Sequence, residues 1–243
     1  MKTKVIFILC MILTVITFGQ NGKSNTMKEI EVISPTFPGT ETIWQGKNVK
    51  SIDDFLANNI EFPQKSVNGR LQGTEVIQFV VTPKGELIEF NVINSVCSEI
   101  DKEVIRVLEV SSGMWKPASV NGEPVAMVKE VSLVFKLHKS NDFRLMAKNC
   151  SDKGNKMLFI KKDPKKALKY YDMGITLLPN EESLLAARGL CRYELGDEEG
   201  ARRDWSRIKT LYENGNIQFE PDYLTDDFRE FKGFAELIQI LGK

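Results

Sequence analysis

Apolar side chains in residues 74–137 recur mainly at every second position, which is the period of β-strands. Two segments rich in Val, Ile and Phe, 74–82 and 86–94, are separated by a Pro-Lys-Gly sequence with the composition of a turn. They predict a β-hairpin. Residues 125–137 predict a third, longer strand, because their apolar side chains fall on one face and Lys129 interrupts that face.

Helical periods lie before and between these strands. Ser98 begins a sequence that resembles a capping box, and the apolar stripe Ile100, Val104 and Leu108 follows it. A shorter helix is predicted to begin at Ser51. The order of elements is then α-β-β-α-β. It predicts an α+β domain in which helices cover one face of a small antiparallel three-stranded sheet.

Residues that interrupt regular structure are concentrated just before the last predicted strand. We interpret them as a structural corner, in which a tryptophan fills the seam between helix and sheet. An Asn-Gly pair predicts a tight turn, and the proline after it is predicted to open the last strand. The residues of this corner are Trp115, Pro117, Asn121, Gly122 and Pro124.

From residue 149 onward the period is helical and the sequence repeats itself. Ala167 and Ala201 are 34 residues apart, and so are Tyr171 and Trp205. A 34-residue period of paired helices is typical of tetratricopeptide (TPR) repeats. In such a pair the alanine allows two helices to approach closely, and the aromatic side chain fills the gap beside it. We therefore predict that these four side chains carry the packing of the C-terminal half.

The repeat predicts two TPR-like units, 148–181 and 182–215, followed by a capping helix at 225–241. Gly189 fits the consensus of such repeats, whereas Gly154 and its neighbours stand where the first unit departs from it.

Lysines are concentrated in the first predicted unit. Such a cluster fits a solvated helix surface, an acidic partner or lipid headgroups, and the sequence leaves the three open. The lysines are Lys153, Lys156, Lys161, Lys162, Lys165, Lys166 and Lys169.

Residues 1–20 have the pattern of a secretory signal peptide, since two lysines precede a mostly apolar, uncharged run over 5–18. This run is shorter than the roughly 20 apolar residues that a transmembrane helix needs. We expect export and cleavage near residue 20. Retention of the segment as an anchor is the alternative, and we expect membrane association only in that case.

Composition and motifs argue against several classes of function. Lys+Arg and Asp+Glu both number 33, so no basic excess indicates a nucleic-acid partner. His138 is the one histidine, and the cysteines outside the signal region, Cys97, Cys150 and Cys191, have no CxxC spacing. We predict separate thiols, no metal or cofactor site, no catalytic residues, and a protein that is not an enzyme.

Short motifs in a fixed order resemble the C-terminal domain of the energy transducer TonB. In chain order they are FPG, an FP after a short helix, a G-x-x-V-x-x-F strand, a glycine turn, W-x-P, N-G-x-P-V and a closing strand. The resemblance covers residues 35–138.

This resemblance implies the same α-β-β-α-β fold and a periplasmic setting in a Gram-negative cell. In that family the domain binds the short TonB box of outer-membrane transporters, largely by strand addition. By analogy the receptive edge is the last strand. The candidate pairing residues are Val128, Glu130, Val131, Ser132 and Leu133.

The chain also departs from a working transducer. Residues 1–20 lack the histidine of the motor-coupled membrane helix, and only about 15 residues without proline precede the domain. Such a spacer reaches about 50 Å when fully extended. These differences argue against energy transduction driven by the proton motive force.

We therefore predict a non-enzymatic interaction protein of the periplasm or of the secreted fraction, with a protein or peptide partner such as an outer-membrane receptor. The TPR-like helices are predicted to form a second interaction surface. An atypical membrane-anchored transducer and a structural protein of envelope assembly stay open as alternatives. The predicted divisions are a signal peptide (1–20), an extended linker (21–45), a TonB C-terminal-like domain (46–140), two TPR-like repeats (148–215) and a capping helix (216–243).

Overall fold

The computed structural model describes residues 30–38, 42–44, 47–49, 51–215, 224 and 226–242. The predicted signal peptide lies outside the described residues. The chain divides into two compact units, and each is described by itself. The first comprises Met1–Pro63, Ile77–Ile93 and Glu99–Val131, and the second comprises Gln64–Val76, Asn94–Ser98 and Ser132–Lys243. The domain boundaries expected from the sequence stay a prediction.

The described residues before 140 form strands with three helices between them. The strands are β1 (Val32–Ile33), β2 (Thr42–Trp44), β3 (Lys47–Val49), β4 (Gly73–Val81), β5 (Leu87–Asn94), β6 (Ala118–Val120), β7 (Glu123–Val125) and β8 (Met127–Phe135). The helices are α1 (Ile52–Asn59), α2 (Gln64–Asn68) and α3 (Ser98–Val110).

The central sheet has the strand order β5-β4-β8 and is antiparallel, as the sequence predicts. Helix α1 precedes its first strand and α3 precedes its last, which gives the mixed α+β class. A second sheet with the order β1-β6-β7 and a β2-β3 hairpin were not predicted. Their strands have only two or three residues, too few to show a period in the sequence.

The predicted helix starts have a local cause. The Ser51 hydroxyl accepts the N–H of Asp54 at 3.1 Å and so caps α1. Helix α3 begins at Ser98, and its buried side chains include the predicted stripe Ile100, Val104 and Leu108. Burial of this stripe stabilises α3 on the core.

The second unit is mostly helical. Its longer helices are α4 (Phe143–Asn155), α5 (Pro164–Leu177), α6 (Glu182–Glu194) and α7 (Glu198–Glu213). A π-helix, Lys156–Ile160, continues α4 directly, and a 3₁₀-helix, Asp226–Glu230, precedes α8 (Phe234–Leu241). The N-terminal turns of α5 and α7 are capped by Asp163 and Asp197, whose carboxylates accept backbone N–H groups.

The single helix predicted over 225–241 is interrupted in the structure. Gly233 lies between the 3₁₀-helix and α8, and a Cβ there would stand 2.8 Å from the Tyr193 ring and 2.9 Å from the Trp205 ring. Only glycine permits this close approach. The apolar period runs on across Gly233, so it does not indicate that α8 begins at Phe234.

The start of β4 belongs to the second unit and contacts the end of α5. Thr74 donates its hydroxyl hydrogen bond to the Leu177 carbonyl at 2.7 Å, and the Asn94 amide donates to the Thr74 carbonyl at 2.7 Å. A Cβ on Gly73 would lie 2.5 Å from the Thr176 carbonyl oxygen. Both contacts with α5 involve its backbone carbonyl oxygens, so the end of α5 packs closely against the start of β4.

Candidate functional site

The predicted pairing residues all lie in β8, which forms one edge of the central sheet in the described part of the chain. Val131 and Phe135 are buried, whereas Ser132 and Val134 are exposed, Val134 by 57%. Val128 is exposed by 38%. This alternation gives the strand one face on the core and one face in solvent.

The predicted buried face of the last strand is only partly covered. Met127 and Leu133 are half-buried, as are Lys129 and Glu130. An edge strand has a neighbouring strand on one side only, so its side chains are covered less than those of a central strand. Every residue of β4 except Gln78, in contrast, is buried.

The other edge of the sheet, β5, has an irregular backbone. Glu89 has φ of 56°, a left-handed conformation that is uncommon for a residue other than glycine. Ile88 and Glu89 are consecutive and both exposed, so the alternation of β5 is broken there. Irregularities of this kind protect sheet edges from further pairing. No residue of β8 has a positive φ, and β8 is therefore the regular edge.

A groove of about 340 Å³ lies on the sheet surface beside β8. Side chains of all three central strands form it, and they combine apolar, amide and carboxylate groups. The lining residues are Gln78, Phe79, Val80, Glu89, Phe90, Asn91 and Val128. Val128 thus belongs both to the edge strand and to the lining of this groove.

Trp115 lies in the core of the first unit. Its ring meets Phe37 and Phe79 edge-on, with centroids 5.4 Å away in both cases. Its indole N–H donates to the Ser111 hydroxyl at 3.1 Å. A Cβ on Gly85, whose φ is 78°, would stand 2.1 Å from the Trp115 carbonyl oxygen. The tryptophan therefore connects the predicted linker, the sheet, the turn directly after α3 and the β4–β5 turn.

The Asn-Gly pair forms the turn between β6 and β7. Asn121 has φ of 52° and Gly122 has φ of 85°, the pattern of a type I′ turn. The Asn121 backbone N–H donates to the Glu31 carbonyl at 2.8 Å, and its side-chain oxygen accepts the Glu31 N–H at 3.1 Å. The turn thus also ties down the chain just before β1.

Pro124 has a different place from the predicted one. It does not open the last strand, because it lies inside β7 and pairs with Ser119 of β6. Strand β7 is an edge of its sheet, where a missing N–H is tolerated. Pro117 is half-buried and directly precedes β6, so the predicted corner contains a complete hairpin before β8 begins.

The four predicted helix-packing residues, Ala167, Tyr171, Ala201 and Trp205, are fully buried. A glycine meets each of the two aromatic rings, and the repeat pattern indicates Gly189 but not Gly154. A Cβ on Gly189 would lie 2.1 Å from the Trp205 ring nitrogen, and the first helix pair, α4 and α5, has a matching contact.

In that first pair, a Cβ on Gly154 would lie 2.5 Å from the Tyr171 ring. The Gly154–Tyr171 separation is one residue longer than the Gly189–Trp205 separation. The π-helix between Gly154 and Tyr171 accounts for this difference, because a π-turn accommodates one extra residue in a helix. At an offset of 34 residues, Gly189 corresponds to Asn155 and not to Gly154. For this reason the sequence pattern places Gly154 among the departures from the repeat.

A buried carboxylate adds a polar contact among α5, α6 and α7. Asp204 accepts two hydrogen bonds from the Arg188 guanidinium, at 2.7 and 3.0 Å, and one from Arg192 at 2.9 Å. Burial raises the pKa of Asp204, and the hydrogen bonds from Arg188 oppose that rise. Arg188 also reaches Asp172 at 3.3 Å. No local sequence pattern indicates this network, since its charges are spread over three helices.

Groups that carry metal or thiol chemistry are not brought together. Among the described residues no cluster of three His, Cys, Asp or Glu side chains has the arrangement of a metal site. Cys97, Cys150 and Cys191 are free thiols. Burial raises the pKa of Cys191 to about 12, which keeps this thiol protonated.

Residues 58–137 match the family model described as "Gram-negative bacterial TonB protein C-terminal". Neither the curated proteins nor the solved structures contain a match to the chain. In proteins of that family the domain is a non-enzymatic interaction and transducer domain, and those proteins are periplasmic or envelope-associated. The match supports a protein partner in general. It covers less than half of the chain and ends before α4, the first of the longer helices of the second unit. Within the described residues, no helix has the length and apolar character to cross a membrane.

Proposed function

We propose that the protein is a non-enzymatic interaction protein of the Gram-negative envelope, exported through a cleaved signal peptide. Its TonB-like domain binds an extended peptide by strand addition along β8, and the TonB box of an outer-membrane transporter is the proposed ligand class. Its TPR-like helices form a second interaction surface. The observation that carries the proposal is the regular backbone of β8, an edge strand of the central sheet in the described part of the chain, within the segment that matches the TonB family model.

Strand addition obtains affinity from main-chain hydrogen bonds and specificity from pockets for alternate side chains. Strand β8 has nine residues, enough for several such bonds. Buried Val131 and Phe135 fix it to the core, so little order has to be gained on binding. The groove beside Val128 offers a place for a peptide side chain of mixed apolar and polar character.

The choice of β8 over β5 rests on backbone regularity. A peptide strand needs consecutive N–H and C=O groups at a constant repeat. The left-handed Glu89 interrupts this repeat in β5, whereas β8 continues through Met127–Phe135 without such a residue.

The TPR-like character of the helices is supported by two repeated features. Each helix pair has an aromatic residue of its second helix against a glycine of its first helix, and a buried alanine four residues before the aromatic. Stacked helix pairs of this kind present extended surfaces to partners. We assign no ligand class to that surface.

Paired proline substitutions test the strand-addition proposal. Adjacent residues of a strand direct their N–H groups to opposite sides, so one of Ser132 and Leu133 directs its N–H to the open edge and the other toward β4. Ser132→Pro and Leu133→Pro are compared by titration with synthetic TonB-box peptides and by backbone amide exchange. One of the two variants is expected to stay folded and to lose peptide binding by at least tenfold.

The other variant is expected to lose stability, because it removes a hydrogen bond inside the sheet. In the unmodified protein, added peptide is expected to slow amide exchange in β8 and to leave β5 unchanged. Peptide binding that survives in the folded proline variant, or protection confined to β5, would contradict strand addition at β8.

A further inference from the structure

The turn between the π-helix and α5 presents an apolar side chain to solvent. Ile160, the last residue of the π-helix, is exposed by 71%, the highest value for a large apolar side chain in the described part of the chain. Lys162 has φ of 51°, so the chain reverses direction immediately after Ile160. Ile160 therefore stands at a protruding turn and not in a groove.

Lysines surround this turn, and most of them are not neutralised. Lys162 pairs with Glu230 at 2.6 Å and Lys166 with Asp163 at 2.8 Å. Five further exposed lysines have no carboxylate within ion-pair distance among the described residues. They are Lys153, Lys156, Lys161, Lys165 and Lys169. We call Ile160 together with these five lysines the basic turn.

The α6–α7 turn provides an internal comparison. Leu195 stands 35 residues after Ile160, the same offset that relates Gly154 to Gly189, and it is exposed by 45%. Both turns lie at the same end of the helix stack, since Lys162 pairs with Glu230 and the Lys232 N–H donates to Glu194. The two turns thus expose an aliphatic side chain in equivalent places.

Their charges differ. The α6–α7 turn has four acidic residues, of which Asp197, Glu198 and Glu199 pair with Arg192, Arg202 and Arg203, and the fourth is Glu194. Of these two turns, the basic turn alone combines an exposed aliphatic side chain with unpaired positive charge.

We propose that the basic turn docks on an anionic lipid bilayer. Ile160 enters the boundary between headgroups and acyl chains, and the lysines contact the lipid phosphates through their ammonium groups. Basic residues beside an exposed apolar residue are the combination that gives peripheral membrane binding. An acidic polypeptide would satisfy the lysines but would leave a protruding Ile160 without a pocket. The proposal is independent of peptide binding at β8.

Vesicle co-sedimentation of the full chain tests this proposal. The vesicles are phosphatidylcholine alone and phosphatidylcholine mixed with phosphatidylglycerol. The unmodified protein is expected to prefer the anionic vesicles and to dissociate at high salt. The triple variant Lys156→Glu, Lys161→Glu and Lys165→Glu is expected to lose that preference by at least about tenfold. Ile160→Ser is expected to weaken binding by about fivefold.

Two matched controls separate this site from general effects. Leu195→Ser removes an equally placed aliphatic side chain from the acidic turn and is expected to leave binding unchanged. Lys84, Lys102 and Lys116, exposed lysines of the first unit, are changed together to Glu so that net charge falls equally. This variant is expected to retain most of the binding. The N-terminal segment is present in every variant, so differences between variants do not arise from it.

Three outcomes would overturn the proposal. The first is equal binding of the unmodified protein to both kinds of vesicle. The second is an equal loss in the two triple-lysine variants, which indicates general electrostatics. The third is unchanged binding of Ile160→Ser, which indicates a purely charged surface of the kind that acidic polypeptides bind. Circular dichroism confirms that each variant is folded.

Discussion

Trp115 shows how one buried side chain organises the first unit. Its ring lies between Phe37, which comes from the segment before the domain, and Phe79, which comes from the central strand. Edge-on aromatic pairs contribute beyond the area that they bury. The position of β8 depends on this cluster, because the chain runs from Trp115 through the β6–β7 hairpin into the edge strand.

We predict that Trp115→Ala lowers the free energy of unfolding by about 3–5 kcal/mol, because it leaves a cavity between two aromatic rings. Trp115→Phe is the matched control. It retains a ring in the cluster and loses part of the volume and the hydrogen bond to Ser111, so about 1–2 kcal/mol is expected. Urea unfolding followed by circular dichroism measures both values. Equal losses in the two variants would show that ring packing is not the main contribution.

Sequence reasoning located the large buried residues better than the small or strained ones. Trp115, Tyr171 and Trp205 are conspicuous because large aromatics surrounded by apolar patterns are usually core residues. Gly154 and Glu89 were missed for physical reasons. A glycine that accepts a ring is recognised only with its partner at hand, and a left-handed glutamate has no signature in a strand pattern.

Among the secondary-structure elements, the long ones were predicted and the short ones were not. Periodicity over β4, β5, α3 and β8 gave their order and the α+β class. The β6–β7 hairpin was recognised only through its Asn-Gly turn, so Pro124 was assigned to the wrong strand. Which sheet edges are open depends on the neighbours of each strand, and such long-range pairing is not encoded in a local period.

Deletion of one residue tests whether the π-helix is an absorbed insertion. If Lys156–Ile160 absorbs a single extra residue, deletion of Lys156 is expected to convert the π-turn to α-helix and to keep Gly154 against Tyr171. The free energy of unfolding is expected to change by less than about 1 kcal/mol, within the range of ordinary surface changes. Thermal and urea unfolding measure the change.

Deletion of Lys169 is the control, since it removes an exposed lysine from the regular helix α5. That deletion rotates Tyr171, Gly174 and Ile175 by about 100° away from their packing positions. A loss of several kcal/mol is expected. Equal damage by the two deletions would show that the π-turn is required by its surroundings and is not an absorbed insertion.

For the whole molecule, the two proposed surfaces lie on different parts of the chain. The β8 edge is expected to hold a peptide by main-chain hydrogen bonds, and the basic turn is expected to hold a lipid surface by charge and one apolar side chain. High salt is therefore expected to weaken the second contact much more than the first. This difference allows the two activities to be measured separately in one preparation.

The mature N-terminus decides between an exported protein and an anchored transducer. We predict that protein recovered from the envelope begins near Gln20 or Asn21, because residues 5–18 are too short to span a bilayer and follow two lysines. Mass spectrometry of the intact protein measures this. Leu13→Arg, which places a charge in the apolar run, is the control and is expected to stay unprocessed. A native chain that retains residues 1–20 and resists extraction by high salt would favour the membrane-anchored transducer.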